Sequence, residues 1–304
     1  MCPPLEAGAE DDNGLILQAE TINITSTFAN QQELLEREAD ITFVQEHCPT
    51  PAQVKSFQAA AKESGKVFQC GPLDPEHGRT SAWVGILAKD TLAPYPIPQP
   101  TKDYLDAYET GRCAIYCLDL GDCTLVCGVI YGWTGGTKGS IAADRTDDIF
   151  TIMLDQFKLL PHGPKLIVGD INGNTGNFPT VIEMLEELGW TDAGNVPKAC
   201  HQGLQQPTCL AQGDVRESRI DFIFLNHCLA EAHKESYVDN DATFPTHRPF
   251  GIKVKVSKVH RSGNNVIKPT DFPSILEDLI QEEIRKAKEV EENTKADEGK
   301  IRNE

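Results

Sequence analysis

The stretch KLIVGDINGN, residues 165–174, decides how this chain is read. Leu166, Ile167 and Val168 form a short unbroken apolar run, the pattern of a strand covered on both faces. The run passes straight into Gly169-Asp170-Ile171-Asn172, which sets a carboxylate and a carboxamide two residues apart. On an extended backbone residues i and i+2 share a face, so Asp170 and Asn172 are expected to project together from the strand end. Asp, Asn and Gly are also the residues of turns, and taken alone the stretch reads equally as a strand-end turn. Its neighbours along the chain decide between the two.

Several other apolar strands end at, or begin from, a polar group. TINITS brings Asn23 to an early strand end, ITFVQE delivers Glu46, and GVIYGW places Tyr131. SRIDFIF carries Asp221, and FPTHRPF presents His247. Each has a dull explanation by itself, as a turn residue or a satisfied histidine. Five or six in one chain make a constellation.

Composition sets the frame. The chain has 304 residues, 39% hydrophobic and 24% charged, ordinary values for a globular protein that can bury a sizeable core. The N-terminus has no basic region followed by an apolar one, and no stretch is apolar enough to cross a bilayer. The expectation is therefore an intracellular protein, nuclear or cytoplasmic, with no membrane insertion. The net charge of −18 argues against tight, sequence-independent nucleic-acid binding, though not against an enzyme that meets phosphate through a metal ion.

Ten cysteines with no visible signal peptide point to free thiols rather than a disulfide framework. Four of them, Cys113, Cys117, Cys123 and Cys127, lie in CAIYCLDLGDCTLVC, which reads as a hairpin. A three-residue loop, Asp119-Leu120-Gly121, would pair Cys117 with Cys123 and Cys113 with Cys127, on one face with Ile115 and Leu125. Same-face residues four apart on a strand are separated by about 13 Å. That is too far to share a tetrahedral zinc with bonds of about 2.3 Å, so the cysteines are read as core.

Three regions are expected. Residues 1–14 are rich in Pro, Gly and acids and read as a disordered tail. Residues 15–256 hold the strands and helices, with helices over 30–38, 51–65, 141–160 and 179–190 and a proline-rich connector at 94–100. Residues 257–304 read as a polar linker and a charged C-terminal helix. That helix opens on the capping box Ser274-Ile275-Leu276-Glu277 and carries an apolar stripe that can dock on its own domain or on a protein partner. Strands outnumber helices and the helices fall in two groups, which suggests two stacked sheets, each covered on its outer face.

The order Asn, Gln-Glu, Tyr, Gly-Asp-x-Asn, Arg-Ile-Asp, His-x-Pro resembles the endonuclease/exonuclease/phosphatase superfamily, over about residues 15 to 256. VQEH, GDIN and SRIDFIF are the specific matches, and Tyr131 in IYGW is similar to the apurinic/apyrimidinic and retroelement endonuclease branches. The resemblance implies a deoxyribonuclease I-like, four-layer α/β/β/α sandwich of two packed, mostly antiparallel sheets with its active site at one rim. It implies a hydrolase that uses Mg²⁺, or Mn²⁺, to cut a phosphodiester, most simply by nicking DNA.

On that footing Glu46 is a hard oxygen ligand for the ion, and Asn23 positions the metal or its ligands. Asp170 orients or deprotonates the attacking water, with Asn172 binding phosphate beside it. His247 contacts the phosphate with its ring held by Asp221, and Tyr131 donates to the phosphate or leaving group. One departure stands out: the family usually has Asp before the active-site histidine, and this chain has Thr246. Two alternatives remain beside the endonuclease: a phosphatase or phosphodiesterase for a small or lipid-linked phosphate, and a non-catalytic scaffold of the same fold.

Overall fold

Period-two alternation along the strands sorts the apolar side chains into layers. The computed structural model describes residues 15–24, 29–46, 50–72, 83–121, 123–210 and 216–256. The expected N-terminal tail at 1–14 and the linker and helix at 257–304 lie outside the described residues.

The elements follow in chain order: β1 Ile16–Asn23, α1 Gln31–Glu36, β2 Ile41–Gln45, α2 Pro51–Glu63, β3 Lys66–Cys70, β4 Val84–Lys89, β5 Tyr95–Pro96, α3 Lys102–Glu109 and β6 Cys113–Asp119. Then come β7 Thr124–Tyr131, α4 Ile141–Lys158, β8 Lys165–Asp170, α5 Pro179–Glu186, β9 Thr191–Asp192, β10 Asp221–Leu225, α6 His227–Ala232, β11 His233–Val238 and β12 Phe250–Lys255. One six-stranded sheet runs β11-β12-β1-β2-β4-β3, the other β5-β6-β7-β8-β10-β9. Both are mixed: β1–β2 and β7–β8 are parallel and the other pairs antiparallel.

Three apolar layers match this arrangement. The central one takes Ile41 and Phe43 from the first sheet and Leu125, Leu166, Val168 and Ile223 from the second. An outer layer packs Phe57 and Ala61 of α2 and Leu34 of α1 over the first sheet. A second packs Phe150, Met153 and Phe157 of α4 and Val181 and Met184 of α5 over the other. The result is the expected α/β/β/α sandwich. Helix starts follow local chemistry. Thr50 and Gln53 form a reciprocal capping box that spans Pro51 in the first turn, a device that contributes about 1 kcal/mol.

The cysteine hairpin is real, but its register differs from the expected one. Asp119 pairs with Thr124, so the loop has four residues, and the Asp119 carboxylate accepts from Gly121 N. Cys113 pairs with Ile130, three residues beyond Cys127, and Cys117 with Val126. An odd offset flips every side chain of the partner strand. Cys113, Ile115 and Cys117 therefore face the α3–α4 layer, while Leu125 and Cys127 face the central core. Burial pushes the Cys113 thiol up to about 12 and the Cys117 thiol up to about 11. The helices α3 and α6 and the strand β11 escape the sequence reading, as do the short edge strands β5 and β9.

Candidate active site

Alternation also explains why polar side chains gather at one edge. Leu17 and Ala19 of β1 lie in the central layer, and the same face continues to Asn23. Ile41 and Phe43 lead to Gln45, Val129 to Tyr131, Leu166 and Val168 to Asp170. Ile223 leads back to Asp221. Each inward-facing apolar row ends in a polar residue at the same end of the sandwich, so the site closes the central core like a lid. Tyr131 and Asp221 both stand in register with Asp170.

Glycine permits the close approach. Gly169 has φ +145°, and a Cβ there would meet the Ile130 carbonyl oxygen at 1.8 Å, so a side chain would force β7 and β8 apart just before Asp170.

Hydrogen bonds tie the two sheets together across this edge. Asn23 Nδ2 donates to Asp170 Oδ2 at 2.9 Å. His247, just ahead of β12, sets its Nδ1 2.7 Å from Asp221 Oδ2 and its Nε2 3.9 Å from Asp170 Oδ2. Glu46 follows β2 at φ 53°, a strained conformation for a residue with a side chain, and its carboxylate charge bears on the Tyr131 phenol. The edge thus holds Asn23, Glu46, Tyr131, Asp170, Asp221 and His247, drawn from both sheets.

Asn172 departs from the expected geometry. The strand ends at Asp170, and Asn172 has φ 51°, so the two side chains do not project in parallel from an extended backbone. Instead Asn172 N donates to Asp170 Oδ1 at 2.8 Å, and Asn172 Nδ2 donates to the Gly132 carbonyl at 2.9 Å. Both readings of the stretch hold here: Asp170 is buried at the edge, and it is also the cap of a turn.

The electrostatics are unbalanced. Burial, then the neighbouring Asp221, pushes the Asp170 carboxyl up to about 7, against the opposing pull of His247 and Asn23. Burial lowers the His247 pKa, but Asp221, then Asp170 and Glu46, outweigh it and raise it to about 9. Burial, followed by Glu46 and Asp170, keeps the Tyr131 phenol protonated. Asp170, Asp221 and His247 each bring one ligand atom to within 4.8 Å of the others. Asp221 Oδ1 and Gln45 Nε2 are buried without hydrogen-bond partners.

Three participants at this edge escape the sequence reading. Arg112, 3% exposed, lies opposite Tyr131 where β6 begins. Its parity with Ala114 and Tyr116 was the available signal. Gln45 belongs to the quoted Gln-Glu pair and turns inward. The segment 208–210 laces His247 in place: Thr208 Oγ1 accepts from Asp221 N, Cys209 bridges His247, and Leu210 N donates to the Thr246 carbonyl. Arg248, beside His247, reaches Glu217 at 3.1 Å.

Solved structures carry the same architecture. The 3'-5' exonuclease NExo from Neisseria meningitidis matches with a TM-score of 0.59 at 17% identity, over 79% of this chain and 100% of that one. The chain has the deoxyribonuclease I-like fold. An AP endonuclease from Archaeoglobus fulgidus matches with a TM-score of 0.60 at 16% identity, over 79% of this chain and 100% of that one. The endonuclease domain of TRAS1, a telomere-specific non-LTR retrotransposon, matches with a TM-score of 0.55 at 16% identity, over 79% and 99%. At these identities the likeness is one of fold. No family model and no curated protein matches the sequence. Among the described residues no helix is long and apolar enough to cross a membrane.

Proposed function

We propose that this chain is a divalent-metal-dependent phosphodiesterase that nicks DNA. The observation that carries the proposal is the edge itself, where a carboxyl held near neutrality, a carboxylate–histidine pair, a protonated phenol and an accessible carboxylate converge on the deoxyribonuclease I-like fold. The donor set suits Mg²⁺ or Mn²⁺. It is made of hard oxygens, its negative charge exceeds what His247 neutralises, and Asp221 Oδ1 has no partner. Glu46 and Asn23 would hold the ion beside Asp170, since His247 Nδ1 is already committed to Asp221. When bound, the ion supplies charge neutralisation at the phosphate.

The side chains divide the remaining work. Asp170, poised near neutral pH, holds the attacking water and takes its proton as the water oxygen bonds to phosphorus. The bond from phosphorus to the leaving oxygen breaks, its electron pair stays on that oxygen, and the oxygen takes up a proton from bulk water. Tyr131, protonated throughout, donates a hydrogen bond to the phosphate or leaving oxygen. His247, cationic through its pairing with Asp221, faces the phosphate, and Asn172 fixes the turn beside it.

A second reading rests on charge. The chain carries −18, and some of its basic side chains are spent inside the fold, as in Arg37 with Glu20 and Arg219 with Asp192. That favours a small or lipid-linked phosphate ester over a long polyanion. Nicking of supercoiled plasmid, run beside a panel of phosphate esters with and without chelator, separates the readings. Metal-dependent nicking supports the first, ester cleavage without nicking supports the second, and neither activity leaves a non-catalytic scaffold.

A further inference from the structure

Arg112, 3% exposed, closes the central core where β6 begins, packed between two aromatic rings. Its guanidinium sits 4.8 Å from the Tyr131 ring centroid and 4.9 Å from that of Trp133, with Arg145 over the same Trp133 ring at 5.8 Å. Its Nη1 donates to the Gly132 carbonyl at 3.0 Å, the oxygen that also accepts from Asn172 Nδ2. Its own carbonyl accepts from Tyr131 N at 2.8 Å.

We infer that Arg112 is a positioning residue for the proposed hydrolysis, fixing the Tyr131 ring by stacking and Asn172 through their shared carbonyl. The inference rests on the phosphodiesterase reading above. A planar guanidinium suits both tasks, since it stacks on aromatic faces while donating in its own plane. A lysine ammonium keeps the charge but offers neither the flat face nor the fixed direction. The alternative is that Arg112 merely fills the end of the core, which would affect stability and leave the chemistry alone.

The test uses the full chain, supercoiled plasmid and Mg²⁺, with variants Arg112→Met, Arg112→Lys, Tyr131→Phe and the double variant Arg112→Met/Tyr131→Phe. Arg112→Met is expected to slow single-turnover nicking by about 100-fold, the scale of a small misplacement at a reacting centre, with little change in half-saturating plasmid. Arg112→Lys is expected to recover little of that loss. The double variant should be no more than about twofold slower than the slower single variant, because both changes remove one unit. Fully additive losses, or full rescue by lysine, would overturn the inference. The near-ultraviolet circular dichroism of the stacked rings reads the positioning without turnover. Loss of the band in Arg112→Lys supports the inference, and an unchanged band overturns it. Should Arg112→Met fail to fold, Trp133→Leu removes the other face of the stack. It should slow nicking about 10-fold, and an unchanged rate overturns the inference. Asp170→Asn is the control: if it nicks as fast as the parent, the functional reading has failed, and the dichroism band alone decides for Arg112.

Discussion

Glu20 and Asp170 are both carboxylates with almost no exposure, one in the middle of β1 and the other at the end of β8. Glu20 is fully matched. Arg37 donates to its Oε1 at 2.8 Å and its Oε2 at 2.6 Å, and Thr42 Oγ1 donates at 2.9 Å. Arg37 reaches on to Asp239 at 2.7 Å, and Lys66 Nζ donates to its carbonyl. Burial works against the Arg37 charge, and Glu20 and Asp239 more than offset it. Asp170 instead shares its edge with Asp221 and Glu46, and among the described residues His247 is the cation that bears on its carboxyl. Matched charge fixes a fold; unmatched charge leaves free energy for a ligand to release. A depression of about 370 Å³ lies beside Arg37, rimmed by Glu33, Glu36, Glu38 and Asp239, so a hollow does not by itself mark the reactive edge.

The largest expected effect is at the unmatched end. Asp170→Asn should lower nicking by about 1,000-fold, the scale of a lost general base. Its melting temperature should stay level or rise, because the substitution removes a carboxyl whose ionised form burial disfavours. Single-turnover rates beside melting curves check both halves. Glu20→Gln should do the reverse. Breaking a buried, matched pair costs about 3 kcal/mol of stability, read as a lower denaturation midpoint, while the nicking rate per folded molecule holds.

A pH series sharpens the contrast. The folded-state pKa of His247, about 9, lies above its ordinary 6.5. Its pairing with Asp221 therefore contributes stability that is complete below about 6.5 and lost as pH rises through about 9. The Asp170 carboxyl, raised to about 7 from 3.8, loses its contribution as pH climbs through about 7. The stability gap between the parent and Asp221→Asn, about 2 kcal/mol at pH 6, should close by about pH 10, as denaturation at each pH will report. The smallest effect is at Thr246. If the carboxylate that the sequence resemblance leads one to expect at position 246 belongs near the ion, Thr246→Asp should lower the Mg²⁺ needed for half-maximal nicking by up to about tenfold, or about 1.4 kcal/mol. An unchanged metal requirement would assign Thr246 to substrate choice instead.

Much of this edge is legible in sequence because each contributing strand is an apolar run that stops at a polar residue. ITFVQ, KLIVGD and DFIFL name their own inward faces by parity, and with them Asp170, Asp221 and the neighbourhood of Glu46. Register is less legible. The cysteine hairpin admits a three- or a four-residue loop, and only packing against α3 and α4 on one side and the other sheet on the second chooses. Short elements such as α6, announced only by the Asn226 cap, carry too few residues for periodicity to speak. Arg112 and Gln45 were hidden for another reason. Neither bears a carboxylate or histidine that would draw it into the constellation, and their inward direction shows only once the second sheet stands over them.

Melting curves in rising Mg²⁺ test the central claim most directly, namely that the unmatched carboxylates at the β8 edge form a cation and phosphate site while the matched cluster around Glu20 is structural. A ligand that binds the folded state alone stabilises it by RT ln(1 + [L]/Kd), about 1.4 kcal/mol at tenfold excess over Kd, or a few degrees for a domain of this size. The expected result is an equal gain for the parent and Glu20→Gln, and little or none for Glu46→Gln and Asp170→Asn. Equal gains in all four proteins, or none in the parent, would contradict it.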